Sequence, residues 1–141
     1  MKANFCTYCI LKYMHSPYLD ESINIGVLIY FAKSERFVFK YSKSLSRIKS
    51  IYNNIPEKTI QEYIRQIDEK LTKISSHEVS DISIEANDLK SFLSKYILSS
   101  DSTVLQFSNF KTIEDVKFEE DVVEKIIVEQ LFIDDILHPV N

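Results

Sequence analysis

The spacing of apolar residues in the first forty positions predicts three β-strands joined by short loops. Residues 5–13 are rich in aromatic and other strand-forming residues, residues 22–32 are apolar at most positions, and residues 37–41 again have strand character. Because residues 22–32 are apolar on both faces, they belong at the centre of a sheet. Pro17 lies in the first loop and residues 33–36 form the second, so the pattern predicts an antiparallel meander.

Beyond residue 44 the apolar spacing changes to that of helices. Residues 45–51 fit a short helix. In the next segment apolar residues recur every three or four positions, which predicts a helix over residues 57–75 with Pro56 at its start. The apolar stripe of this helix consists of Ile60, Ile64, Ile67, Leu71 and Ile74.

The last third of the chain predicts a helix starting at Asn87 or Asp88, a strand over residues 104–110 and a terminal helix over residues 119–137. The terminal helix begins with three acidic residues, which the helix dipole favours. The sequence therefore predicts one α+β domain over residues 1–141, in which an antiparallel sheet of about four strands, with the meander first, is covered by three to four helices.

Composition and charge place the chain among soluble cytoplasmic proteins. The longest apolar run, residues 25–32, is too short for a membrane span, and we see no signal peptide. Two cysteines fit a reducing compartment. The net charge of −4 conceals a gradient, because residues 1–51 carry eight basic and three acidic side chains whereas residues 101–141 carry three and ten. The gradient indicates either a partner-binding face or complementary surfaces within one fold.

Gly26 is the single glycine of the chain and lies inside the predicted central strand. An average chain of this length has about ten glycines, since glycine makes up about 7% of residues. Glycine inside a strand weakens it and usually marks a bulge or a close approach by another group. We therefore expect a constrained place at Gly26, with the ring of Tyr8 or Tyr13 as the candidate neighbour.

Polar residues next to Gly26 form a candidate notch with Glu21 and Asn24. On a regular strand Asn24 and Gly26 share one face, and a polar side chain on a buried strand needs hydrogen-bond partners. One interpretation is structural: Asn24 fixes the preceding loop, and Gly26 makes room for Tyr8 or Tyr13. The other is a small polar binding site, and a hydrolase or nuclease built around Glu21 and Asn24 is its catalytic form.

The sequence predicts no metal, no cofactor and no enzyme active site. Cys6 and Cys9 are three residues apart on a strand, so they point to opposite faces about 10 Å apart, beyond the ~7 Å limit for a disulfide. The three histidines lie in separate connections, and a structural zinc site needs four ligands. Phosphate loops and nucleophile elbows both require glycines that the chain lacks.

A basic strip follows the third strand and is interleaved with serines and Tyr41. Lysine, arginine and hydroxyl groups together are suited to bind phosphate. The strip therefore predicts, as the alternative function, a nucleic-acid-binding accessory protein, although the pI near 5.4 is not typical of that class. Its cationic residues are Lys40, Lys43, Arg47 and Lys49.

The terminal helix has more apolar residues than one packed face needs. Four of them, Val123, Ile126, Ile127 and Leu131, form a single inward stripe. A surplus on a terminal helix indicates that part of it covers a second chain, either a homodimer or another protein, or else that the helix lies in a deep groove of its own fold. The surplus residues are Val122, Val128, Phe132, Ile133 and Ile136.

The N-terminal residues carry a family resemblance. The pattern consists of Tyr8, Lys12-Tyr13, Ser16-Pro17, Glu21, Asn24 and Gly26-Val27. It resembles the signature of a bacterial domain-of-unknown-function family, number 3037, whose members more often have arginine at position 12 and have a helix arginine where Arg47 stands. The resemblance implies a small cytoplasmic bacterial protein of a kind often encoded beside a HipA-type kinase, and hence a toxin–antitoxin or phage-defence context. The first functional hypothesis is thus a non-enzymatic accessory protein that binds a protein partner.

Overall fold

The computed structural model describes residues 4–16, 21–42, 45–52, 54–75, 93, 97 and 104–131. Along this part of the chain three strands are followed by two helices, and two further strands are followed by a third helix. The elements are β1 (Cys6–Ser16), β2 (Glu21–Phe31), β3 (Arg36–Tyr41), α1 (Ser46–Ile51), α2 (Glu57–Ser75), β4 (Leu105–Phe107), β5 (Lys111–Ile113) and α3 (Glu119–Gln130).

The strands form one antiparallel sheet in the order β3-β2-β1-β4, and β5 also pairs with β1. The N-terminal meander is therefore confirmed, with the apolar strand β2 between β1 and β3. The α+β class is confirmed as well, since helices pack on both faces of this sheet.

The predicted single strand over residues 104–110 is wrong. It is replaced by β4 and β5, which pair with different parts of β1. The interruption lies at Ser108, whose hydroxyl accepts a hydrogen bond from the Ile10 amide at 2.9 Å, while the Ser108 amide donates to the Ile10 carbonyl at 2.8 Å. A side chain thus occupies a place that a backbone carbonyl would take in a continuous ladder, and the chain leaves the sheet before β5.

A β-bulge in β2 sets the arrangement of the two sheet faces. Leu11 pairs with Gly26 and Lys12 pairs with Asn24, so Ile25 is the extra residue. The bulge shifts the alternation of side chains by one position. As a result Ile23 and Ile25 share a face with Leu28, which a regular strand would not allow.

Each face has its own hydrophobic core. We call them the α2 face, which α1 and α2 cover, and the α3 face, which α3 covers. The main strand residues buried on the α2 face are Cys9, Leu11, Tyr13, Ile23, Ile25, Leu28, Tyr30 and Phe37. Those buried on the α3 face are Cys6, Tyr8, Ile10, Val27, Ile29 and Phe31.

The long helix α2 has the predicted bounds, and its stripe from Ile60 to Leu71 is buried. In α1, however, Ile51 is 56% exposed, so only the first part of that segment contributes to the core. The helix predicted from Asn87 or Asp88 lies outside the described residues, apart from Leu93 and Ile97, which are buried on the α2 face.

Helix α3 ends at Gln130, not at residue 137, because Leu131 has an extended backbone. Residues 132–141 lie outside the described part of the chain. Among the helices that the structure describes, none combines the length and the apolar character that a membrane crossing requires.

Candidate functional site

The predicted notch is divided between the two sheet faces. Gly26 is in the regular part of β2 with Leu28, on the α2 face. Asn24 lies beyond the bulge, and its side chain reaches α3 on the opposite face. The expectation that Asn24 and Gly26 share a face is therefore wrong, because the extra residue Ile25 reverses the alternation between them.

The close approach expected at Gly26 is confirmed. A Cβ atom there would lie 3.3 Å from the Lys40 carbonyl oxygen, 3.3 Å from Cε1 of Phe39 and 3.4 Å from Cβ of Leu11. The neighbours are thus β3 and β1, and not the rings of Tyr8 or Tyr13. The glycine lets β3 approach the bulge, where the Ser42 amide also donates to the Ile25 carbonyl at 2.9 Å.

Asn24 connects the bulge to the end of a helix. Its side-chain amide donates to the carbonyl of Gln130, the last residue of α3, at 3.3 Å. Carbonyls in the last turn of a helix have no hydrogen-bond donor inside the helix, and the Asn24 amide supplies one to the Gln130 carbonyl. Glu21 is half-buried at the start of β2, opposite Ser16, and its predicted loop neighbours lie outside the described residues.

Three rings meet at the end of β1, and the sequence analysis did not anticipate them. The rings of His15 and Tyr52 stack with centroids 3.7 Å apart and an angle of 9°. Tyr13 lies beside both, and its hydroxyl is 3.1 Å from Nδ1 of His15. The spacing of Tyr13 and His15 places both on one face of a strand. Tyr52 is the residue directly after α1, so spacing along β1 could not predict its contact with them.

The basic strip does not form one described surface. Lys40 lies opposite Val27 and is exposed on the α3 face. Lys49 belongs to α1, on the other face, and its ammonium is 2.6 Å from the Glu57 carboxylate. Arg47 lies in α1, its side chain is outside the described part, and Lys43 is not described. Lys40 and Lys49, the two residues of the strip whose side chains are described, therefore lie on opposite faces of the sheet.

Of the five predicted interface residues, the structure describes two, and one of these lies on the outer surface of the helix. Val122 packs partly buried against the α3-face core, whereas Val128 is 53% exposed. A shallow groove beside Val128 is otherwise lined by charged side chains, Asp121, Glu124, Lys125 and Glu129. The remaining predicted residues, Phe132, Ile133 and Ile136, lie outside the described part of the chain.

Phe118 is a second exposed residue next to this helix, and the sequence analysis missed it. Its side chain is 69% exposed at the N-cap of α3, a position where Ser, Thr, Asp or Asn is usual. That unusual cap residue is the signal that would have identified it. It borders an open hollow of about 750 Å³ lined by Arg36, Lys117, Phe118, Glu119, Glu120 and Asp121.

Ionic contacts connect residues that line this hollow. The Arg36 guanidinium is 3.0 Å from the carboxylates of both Glu119 and Glu120, and it lies 5.4 Å above the ring of Phe31. The Ser34 hydroxyl donates to Glu119 at 2.7 Å. The first turn of α3 is thus fixed to the β2–β3 hairpin, which keeps the exposed Phe118 in place.

The two cysteines lie on opposite faces, as the strand spacing predicted, with Cys6 on the α3 face and Cys9 on the α2 face. Burial is the main reason that the pKa of each thiol lies above its ordinary value. At Cys6 a hydrogen bond with the Ile113 backbone opposes the rise, and the charge of Glu119 adds to it. Among the described residues no cluster of three or more potential ligands could hold a metal ion.

We therefore expect both thiols to be unreactive in the folded protein. A thiol reagent near neutral pH should modify Cys6 and Cys9 far more slowly than free cysteine, because only the exposed thiolate reacts. In denaturant both should react at the rate of free cysteine. Rapid modification of either residue without denaturant would contradict its burial.

Comparison with known proteins gives one family match. A family model described as "Protein of unknown function (DUF3037)" matches residues 8–129. No curated protein and no solved structure matches the chain.

Proposed function

The chain belongs to the DUF3037 family, and on that premise we propose that it is a non-enzymatic, cytosolic bacterial accessory protein that binds a protein partner. The observation that carries the proposal is the exposure of Phe118 at the N-cap of α3. Large aromatic side chains at the surface are the residues that most often anchor protein interfaces. A monomer gains nothing in stability from a ring that remains in water.

Phe118 and Val128 border one continuous surface, which we call the α3 outer face. Asp121 lines both the hollow at Phe118 and the groove at Val128. The two apolar residues are ten positions apart, which corresponds to about 15 Å along a helix. Phe118 at the N-cap and Val128 near the end of α3 are thus two separate apolar contact points on this surface.

The charge of this surface defines the chemistry of the partner. Residues 117–130 contain five acidic side chains and two lysines. Of the five, Glu119 and Glu120 are already paired with Arg36, while Asp121, Glu124 and Glu129 lie along the exposed side. The surface is therefore complementary to a basic protein groove that contains an apolar pocket for the Phe118 ring. A HipA-type kinase, which the sequence resemblance implies, is the first partner to test, in a toxin–antitoxin or phage-defence context.

The Phe118→Ala variant tests the location of the binding surface. We expect its Kd for a HipA-type kinase, the first partner to test, to rise at least about 30-fold, the effect of losing a hot-spot residue. The affinity is measured by isothermal titration calorimetry with both purified proteins. Ile51→Ala is the matched control, because Ile51 is also an exposed large apolar residue but lies on the α2 face.

Other outcomes separate the alternatives. If the wild type does not bind the kinase but light scattering shows a dimer that Phe118→Ala dissociates, the partner is a second copy of the chain. If Phe118→Ala and Ile51→Ala bind the kinase as well as the wild type, the α3 outer face is not the interface. A strict monomer that binds no neighbouring protein would contradict the accessory function itself.

A further inference from the structure

The ring cluster of Tyr13, His15 and Tyr52 lies on the α2 face, away from the α3 outer face. The imidazole of His15 and the ring of Tyr52 are parallel within 9° at a centroid distance of 3.7 Å. His15 belongs to β1 and Tyr52 follows α1, so two separate elements hold the stack. Both side chains are only half-buried, which leaves part of each ring in contact with solvent.

Tyr13 orients this stack from its buried side. It is buried in the α2-face core, and its hydroxyl is 3.1 Å from Nδ1 of His15. When the phenol donates this hydrogen bond, Nδ1 is the acceptor and the proton of the neutral imidazole is on Nε2. Nε2 is then the donor nitrogen of an imidazole that is only half-buried.

Positive charge lies in the helix that leads to the platform. Helix α1 contains Lys49, whose side chain is exposed, and ends directly before Tyr52. The ion pair between Lys49 and Glu57 is between two exposed groups, and such pairs contribute little and exchange readily for another anion.

From this juxtaposition we infer that the His15–Tyr52 platform binds a nucleobase that carries a phosphate, either in a free nucleotide or in single-stranded nucleic acid. Stacking on aromatic side chains beside cationic groups is the chemistry by which proteins bind unpaired bases. In the tautomer that accepts from Tyr13, Nε2 of His15 is a donor suited to ring nitrogens or carbonyls of the base. This activity is independent of the partner binding proposed above, because it uses another face of the sheet.

Binding is tested with the full-length protein and two probes, adenosine monophosphate and a fluorescein-labelled single-stranded oligonucleotide. The chain has no tryptophan, so tyrosine emission reports nucleotide binding, and fluorescence anisotropy reports oligonucleotide binding. We expect Tyr52→Leu to weaken the affinity about tenfold, because leucine keeps apolar packing but removes the stacking surface. The matched control is Tyr63→Leu in α2, since Tyr63 is also half-buried against the α2-face core.

Each outcome decides the inference. A loss confined to Tyr52→Leu supports it, and the probe that binds identifies the source of the base. For the oligonucleotide, affinity should also fall between about 50 and about 200 mM salt, as phosphate contacts require. If neither probe binds the wild type, or if both variants bind as the wild type does, the inference is wrong. An equal loss in both variants also overturns it, because the effect then follows from their shared core.

Discussion

The Ile126→Ala variant is expected to unfold with a free energy about 2–5 kcal/mol lower than that of the wild type. Ile126 is only 1% exposed and lies in the α3-face core, between α3 and the central strands. Its truncation removes apolar contacts and leaves a cavity that a packed core fills only in part. Since a domain of this size has a total stability of about 5–15 kcal/mol, the loss is a large fraction.

Urea denaturation followed by circular dichroism measures this loss. Val128→Ala serves as the control, because Val128 is in the same helix but faces solvent, and we expect its free energy of unfolding to change by less than about 0.5 kcal/mol. Equal losses in the two variants would mean that the inner and outer faces of α3 are wrongly assigned.

Gly26→Val is expected to lower the free energy of unfolding by about 1–3 kcal/mol, the usual effect of overpacking. The first added carbon already lies within 3.3 Å of the Lys40 carbonyl oxygen, which belongs to the backbone and cannot rotate away. The two further methyl groups of valine must displace Phe39 or Leu11. Strand β3 would then have to move away from the bulge, and the contact between Ser42 and Ile25 would lengthen.

Lys40→Val provides the control for this variant, because it introduces the same side chain at an exposed position of the adjoining strand. Valine is a good strand former, so the free energy of unfolding of Lys40→Val should change little. Thermal and urea unfolding of both variants measure the difference. If Gly26→Val is as stable as the wild type, the close approach of β3 does not constrain this position.

These variants separate folding from binding. Ile126→Ala and Gly26→Val should lower stability, whereas Phe118→Ala should weaken partner binding and leave stability nearly unchanged, because its ring is in solvent. The N-terminal signature belongs largely to the first group. Tyr8 and Tyr13 are core residues on opposite faces, and Asn24 holds the end of α3. The signature thus describes how the bulged strand is packed between two helical layers.

The structure places the signature residues Asn24 and Gly26 on opposite faces of the sheet, which bears on the predicted catalytic site. A regular β2 would bring Asn24 and Gly26 into a common notch, and the proposed hydrolase or nuclease was built around Glu21 and Asn24 at that place. The bulge separates them, and the Asn24 amide is already bonded to Gln130. The α3 outer face and the ring cluster are the exposed sites on which the two binding proposals rest.

The sequence by itself determined the elements whose pattern is local. The apolar run of β2 predicted a central strand, and the stripe from Ile60 to Leu71 predicted α2 with its observed bounds. Three acidic residues predicted where α3 begins. These predictions succeed because neighbours along a strand or helix have fixed relative directions, so one face can be identified from spacing alone.

Only the tertiary structure decided the features that depend on register between distant residues. The extra residue at Ile25 reverses a face, and Ser108 divides the predicted fourth strand by bonding to Ile10, nearly a hundred positions away. The stack of His15 on Tyr52 likewise joins β1 to the end of α1. Spacing along the chain does not specify which backbone groups pair across a sheet. That choice depends on how both cores pack at once, and it sets which side chains remain exposed for a partner or a ligand.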